Sequence, residues 1–131
     1  MRKASAVAFT ATLFAGLALG IPAASASSSS YSLQQSWSGS SGGCGLSQDL
    51  LLNSADHHNY QQGHAWSSNG DYCLFSQVQF KNGTAQTSWS GAVAGSTSIW
   101  SPVTYDGPGY TVMSCVNDET TGAASWCSPK Y

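Results

Sequence analysis

Three histidines between residues 57 and 64 have the clearest potential for chemistry in this sequence. Asp56 directly precedes His57 and His58, and His64 follows six residues later. Imidazole and carboxylate groups bind transition metals and act as general acids or bases, so this set could support metal-dependent or hydrolytic activity. Its spacing matches no established ligand motif such as H-E-x-x-H. We therefore favour a polar surface loop and predict no metal site and no cofactor.

Other catalytic patterns have little support. The sequence contains no G-x-S-x-G nucleophile elbow. Its aspartates include enough carboxylates for a glycosidase pair, but Asp71 and Asp106 lie at predicted turns, where Asp is favoured for its backbone hydrogen bonding. We predict a non-catalytic protein.

The five tryptophans are more informative. Trp66 lies in a polar segment and Trp100 lies beside Pro102. An exposed indole suits stacking on a sugar ring or contact with a protein partner, because one side chain offers both a large apolar face and a polar N–H group. The alternative is that both residues cap a hydrophobic core. Trp89 is the best core candidate.

The start of the predicted domain raises a second binding hypothesis. Tyr31, Leu33, Gln35 and Trp37 alternate with polar residues, which predicts a first strand with one aromatic face. Such a strand, after the serine-rich lead-in at 27–30, could be donated to the sheet edge of another protein. The alternative is an ordinary first strand in its own sheet.

Asn82-Gly83 gives the strongest hairpin signal, because both residues tolerate the positive φ of a tight turn. A two-residue turn predicts that Val78 faces Thr87 and that Ser76 faces Trp89. The predicted apolar face then consists of Tyr72, Leu74, Val78, Phe80, Ala85 and Trp89. The opposite face consists of Gln77, Gln79, Lys81, Thr84, Gln86, Ser88 and Ser90, with Cys73 and Phe75 on the same parity as these polar residues.

Further strands are predicted along the rest of the chain. Residues 38–45 and 55–70 read as loops, and 46–53 as a buried strand or a short helical turn. Pro102 places the strand at 97–105 at a sheet edge or a bulge. Strong alternation predicts a strand at 110–116, and 123–127 is expected to pair back on it. Six or seven short strands without a long helix predict an all-β, antiparallel β-sandwich over residues 31–131.

The four cysteines predict two disulfides in an exported chain of this size. Cys115 and Cys127 are symmetric about a predicted loop at 118–122, so a hairpin there places them opposite each other. Cys44 then pairs with Cys73. A zinc site with four cysteine ligands is disfavoured, because no C-x₂₋₄-C pair is present.

One segment resembles a known family. Gly107-Pro108-Gly109-Tyr110-Thr111-Val112, followed by Cys115-Val116-Asn117-Asp118, is similar to the end of fibronectin type III and related immunoglobulin-like domains. The resemblance implies an immunoglobulin-like sandwich with a structural tyrosine at position 110. It implies no catalytic residues, and the paired cysteines depart from the usual family pattern.

The first 26 residues are predicted to be a signal peptide. Arg2 and Lys3 precede an apolar run at 4–21, and Ala24-Ser25-Ala26 forms a small-x-small cleavage site. Cleavage leaves six acids and two lysines, hence a net charge of −4. So few cations exclude a nucleic-acid-binding surface, and no later segment is apolar enough to span a membrane. The overall pattern is similar to small exported proteins of high-GC Gram-positive bacteria.

Together these features predict a secreted, non-catalytic binding domain. Its expected partner is a secreted or cell-surface protein, which would make it an adaptor subunit of an exported complex or an inhibitor of a secreted enzyme. The alternative is a small carbohydrate- or cell-wall-binding module, and the third hypothesis is hydrolase or metal-dependent activity at the histidines. The residues predicted to contact a partner are Tyr31, Leu33, Trp37, Trp66 and Trp100.

Overall fold

The computed structural model describes residues 30–95 and 97–131. The predicted signal peptide and residues 27–29 of the lead-in lie outside this part of the chain. The strands are β1 (Tyr31–Ser41), β2 (Cys44–Asn53), β3 (Asn59–Ser67), β4 (Cys73–Lys81), β5 (Thr84–Val93), β6 (Ser98–Trp100), β7 (Thr104–Tyr105), β8 (Tyr110–Asp118) and β9 (Trp126–Cys127). Within the described ranges, no helix has the length and apolar character needed to cross a bilayer.

The strands form two antiparallel sheets. Sheet A has the order β1-β2-β3-β6, with β7 also paired to β3, and sheet B has the order β5-β4-β8-β9. The core between them contains Cys44, Leu46, Ala65, Cys73, Phe75, Val93 and Val116. The prediction of an all-β, two-sheet fold is confirmed. Six strands have nine or more residues, and β6, β7 and β9 are short additions.

Both predicted disulfides are present. Cys44–Cys73 is fully buried and joins β2 of sheet A to β4 of sheet B. Cys115–Cys127 joins neighbouring strands of sheet B, with Cys115 and Cys127 directly opposite in register. One bridge therefore links the two layers, and the other fixes the short last strand to its neighbour.

The expectation of a loop at 55–70 is wrong, because most of this segment forms β3. Gln61, Gly63, Ala65 and Ser67 are buried and alternate with half-exposed Tyr60, Gln62, His64 and Trp66. The inward residues are small or polar and the outward ones are large. This inversion of the usual pattern explains why hydrophobic periodicity missed the strand. The predicted loop at 38–45 is also mostly strand, with a tight turn at Gly42-Gly43.

The hairpin of β4 and β5 is present, but the predicted faces of β4 are reversed. Cys73, Phe75 and Gln77 are buried, whereas Leu74 is 40% exposed on the opposite side. The outward side of sheet B forms an open groove of about 560 Å³, whose lining includes Leu74, Ser76, Ala92 and Cys115. On β4 the core face is the face that carries buried Cys73, and not the face that carries most of the apolar residues.

Two β-bulges also change the predicted register. Gln79 pairs with Thr87 and Phe80 with Ala85, so Gln86 is the extra residue. Farther from the turn, Val78 therefore pairs with Ser88 instead of Thr87. Trp89 pairs with Gln77 and packs against the core as predicted. A second bulge at Gln34 separates Leu33 from Gln35 and changes the face on which later β1 residues lie.

A layer of polar side chains fills the other part of the interior. The Gln77 amide donates to Thr104 Oγ1 at 2.7 Å and accepts from the hydroxyls of Ser101 and Ser114. The Gln61 amide donates to Asp106 Oδ2 at 2.6 Å. Burial raises the pKa of the Asp106 carboxyl, and this hydrogen bond partly offsets the shift. These buried groups satisfy one another's hydrogen-bonding capacity and link the two sheets.

Asp118 fixes the turn between β1 and β2 from the other sheet. Its Oδ2 accepts from Gly43 N at 2.9 Å, and its Oδ1 accepts from the backbone of Thr120 and Thr121. Burial opposes ionisation of this carboxyl. The backbone donors outweigh that effect and hold its pKa at about 2.

Replacing this carboxylate tests the arrangement. In Asp118→Asn an NH₂ group faces backbone N–H donors, so we expect a lower thermal midpoint at pH 7. Because the folded pKa lies below the ordinary value of 3.8, wild-type stability should fall as the pH drops from about 4 to about 2. The variant should lose that part of the pH dependence. Thermal unfolding between pH 2 and pH 7 measures both, with exposed Glu119→Gln as control. Parallel pH curves for wild type and Asp118→Asn would contradict the assignment.

Candidate functional site

The outer face of sheet A brings together two of the predicted contact residues. Trp66 lies on β3 and Trp100 lies on β6, the strand that pairs with it. His64 is directly opposite Trp100 in register and two residues from Trp66. We call Trp66, His64 and Trp100 the tryptophan platform.

Trp66 lies across the backbone of β2. Gly45 is its register partner, and a Cβ atom at Gly45 would stand 2.1 Å from the Cε2 atom of the indole. Only glycine leaves room for this close approach, so the indole covers the strand rather than standing away from it. Trp66 is half-buried, with the rest of the ring open to solvent.

Trp100 is held by His64. The two rings are stacked, with centroids 4.0 Å apart and planes 9° apart. The Trp66 ring also contacts the imidazole, tilted by 39° with centroids 5.4 Å apart. Burial between these rings lowers the pKa of His64, against the opposing charge of Asp49. Trp100 remains 51% exposed, so it does not cap the core.

The surface around the platform is rich in hydroxyl groups and poor in charge. Ser38, Ser40 and Ser47 lie on the neighbouring strands at the same level, since Ser47 pairs with both Ser38 and His64. The Asp49 carboxylate, whose charge acts on His64, accepts a hydrogen bond from Ser36 Oγ at 2.6 Å. The structure describes two lysines, and both lie over aromatic rings of sheet B. Lys81 lies over the Tyr110 ring and Lys130 lies over the Phe80 ring.

The β1 edge, meaning the backbone groups of Tyr31–Ser41 that point away from β2, is the second candidate surface. Among the residues that the structure describes, β1 pairs only with β2. Tyr31 and Leu33 are 42% and 61% exposed. The prediction of a single aromatic face is wrong, because the bulge at Gln34 places Trp37 opposite buried Gln48, where its ring contacts Tyr131 at 5.0 Å.

Tyrosine rings adjoin the start of β1. Tyr31 packs edge-on against Tyr60, which in turn packs against Tyr105, each with centroids 5.5 Å apart. Tyr60 donates its hydroxyl proton to Asp56 Oδ2 at 2.6 Å, which raises the pKa of Tyr60 to about 12 and lowers that of Asp56. These contacts give the exposed end of β1 an ordered aromatic support.

The predicted histidine set is not brought together as one ligand cluster. Asp56 caps the turn that leads to β3, accepting from His58 N and from Tyr60. His64 is part of the platform on β3, and about 16 Å of extended strand separates it from the start of β3 at Asn59. Within 30–95 and 97–131, no three His, Cys, Asp or Glu side chains are arranged to hold a metal ion.

The sequence singled out the two indoles, and His64 for metal or acid–base chemistry, but it did not indicate that His64 and Gly45 position the indoles. Gly45 and His64 can be recognised once β3 is read as a strand, because both residues then lie on the same face of the sheet as Trp66.

Comparisons with protein-family models, with curated proteins and with solved structures found no match for this chain.

Proposed function

We propose that this chain is a secreted, non-catalytic binding domain, and that its partner is another secreted or cell-surface protein that pairs with the β1 edge. The observation that carries this proposal is the composition of an exposed edge strand. Over its 11 residues β1 contains neither a charged residue nor a proline. Natural edge strands usually carry such residues, because they prevent pairing with other chains.

An open edge of this length is well suited to a protein partner. Eleven residues extend for about 36 Å, and their free N–H and C=O groups would hydrogen-bond to an extended segment of the partner. Backbone hydrogen bonds then give affinity, and alternate side chains give specificity. An adaptor subunit or an enzyme inhibitor would use the same edge.

Exposed apolar side chains favour β1 over the other long edge strand. Tyr31 and Leu33 project from β1, whereas the large exposed hydrophobic residues of the described chain include none from β5. A partner segment that pairs with β1 would cover both side chains. We therefore expect recognition to centre on the first third of β1.

Lysines on β1 should abolish this interaction. Ser32 and Gln34 are exposed, so Ser32→Lys combined with Gln34→Lys adds two charges to the edge without removing a core contact. We expect at least a hundredfold loss of affinity, on the order of 3 kcal/mol. The immobilised domain, residues 27–131, would be exposed to culture fluid from a strain that secretes it, and the captured proteins would be quantified by mass spectrometry.

A matched variant separates a specific edge from a general charge effect. Gln86→Lys with Thr87→Lys places two lysines on exposed positions of β5. This control should capture the same protein as the wild type. Equal capture by the β1 variant, or equal loss in both variants, would remove β1 from the proposal.

A further inference from the structure

We infer that the tryptophan platform is a separate binding site for a neutral polysaccharide, on the outer face of the same sheet. The site would take a chain of uncharged pyranose sugars. It is distinct from the β1 edge, because the platform is formed by β3 and β6 and uses side chains rather than free backbone groups. The inference does not depend on the proposed protein partner.

The two indoles offer stacking surfaces in fixed positions. Trp66 is supported from below by the backbone at Gly45, and one face of Trp100 is covered by His64. The remaining ring surfaces face solvent, with Trp100 51% exposed. Sugar rings present C–H groups on their flat faces, which pack on such aromatic surfaces. Rigid support lowers the entropy cost of holding each ring in place for a ligand.

The surroundings indicate which sugars fit. Ser38, Ser40 and Ser47 provide hydroxyl groups beside the rings, and each can donate and accept a hydrogen bond with sugar hydroxyls. The charge that acts on His64 is that of Asp49, whose carboxylate already accepts a hydrogen bond from Ser36, and both described lysines lie over rings of sheet B. An anionic polymer would find no cation here, so the site favours a neutral chain.

Retention on insoluble polysaccharide tests the site. Cellulose and chitin serve as neutral probes, and a wall preparation rich in anionic polymer serves as the charged probe. We expect wild-type residues 27–131 to bind a neutral probe, and Trp66→Ala and Trp100→Ala each to weaken binding roughly tenfold. The double variant should show no measurable retention.

Gly45→Ala provides a second variant that leaves both indoles in the chain. Its added methyl group would overlap the Trp66 ring, which must then move. We expect weaker retention, with Trp100 still present. Exposed Tyr72→Ala, which removes an aromatic ring outside the platform, should bind as the wild type does. Thermal unfolding of each variant shows whether it is folded at the assay temperature.

Three results would overturn the inference. These are no wild-type retention on either neutral probe, retention only on the anionic wall preparation, and equal retention by folded wild type and folded double variant. The last result would place binding elsewhere on the surface. Loss of retention in the Trp variants together with normal retention of Tyr72→Ala supports the site.

Discussion

Removal of the Cys44–Cys73 disulfide, by Cys44→Ala with Cys73→Ala, is expected to destabilise the domain more than any other change considered. The bridge spans 29 residues, for which loop closure in the unfolded chain accounts for about 4 kcal/mol. Both cysteines are fully buried and belong to the core cluster, so their loss also removes packing between the sheets. Chemical denaturation of the purified protein measures the change.

The second bridge is the matched control. Cys115→Ala with Cys127→Ala opens a span of 12 residues, worth about 3 kcal/mol by the same relation. Cys127 is exposed and both residues lie in sheet B, so little packing is lost. The first pair should therefore cost more. A larger loss from the Cys115–Cys127 pair would contradict the view that the inter-layer bridge is the main covalent constraint.

Gln77→Ala is expected to give the largest effect of a single substitution in the polar layer. Gln77 is 3% exposed and bonds to Ser101, Ser114, Thr104 and the Pro102 carbonyl. Truncation leaves buried hydroxyl groups without a partner and opens a cavity, which together should cost about 2–4 kcal/mol. Denaturant unfolding at pH 7 measures the loss.

Exposed Gln86 is the comparison for this prediction. Its amide donates only to the nearby Thr84 carbonyl, so Gln86→Ala should change stability by no more than about 0.5 kcal/mol. If Gln77→Ala were equally mild, the buried network could not be holding the two sheets together.

Much of the fold could be predicted from local rules. Asn82-Gly83 marked the tight hairpin, and the symmetry of Cys115 and Cys127 about a loop gave both disulfides. The hairpin and the Cys115–Cys127 bridge depend on residues close in sequence, and the Cys44–Cys73 bridge then followed by elimination. The faces of β4 depended on the rest of the molecule, because the interior there accepts Gln77 in a hydrogen-bonded network and leaves Leu74 outside. Hydrophobic alternation assumes an apolar interior, whereas this interior also contains the buried polar residues Gln48, Gln61 and Gln77.

The candidate site could be predicted only in part, because its geometry also depends on features that hydrophobic alternation does not indicate. The sequence named Trp100 as a candidate contact residue but left open whether it caps the core, and the stacking of Trp100 on His64 depends on β3 being a strand. The separation of Trp37 from Tyr31 and Leu33 depends on a single extra residue at Gln34. A bulge reverses every later side chain, and no residue type near Gln34 signals it.

The size of the native protein tests the proposed binding function most directly. Culture fluid from a strain that secretes the chain would be separated on a sizing column, and the chain would be detected in each fraction. We expect that wild type elutes in an assembly larger than one chain, and that Ser32→Lys with Gln34→Lys elutes as a single chain. Wild-type protein that elutes entirely as a single chain would contradict the claim that β1 binds a secreted protein partner.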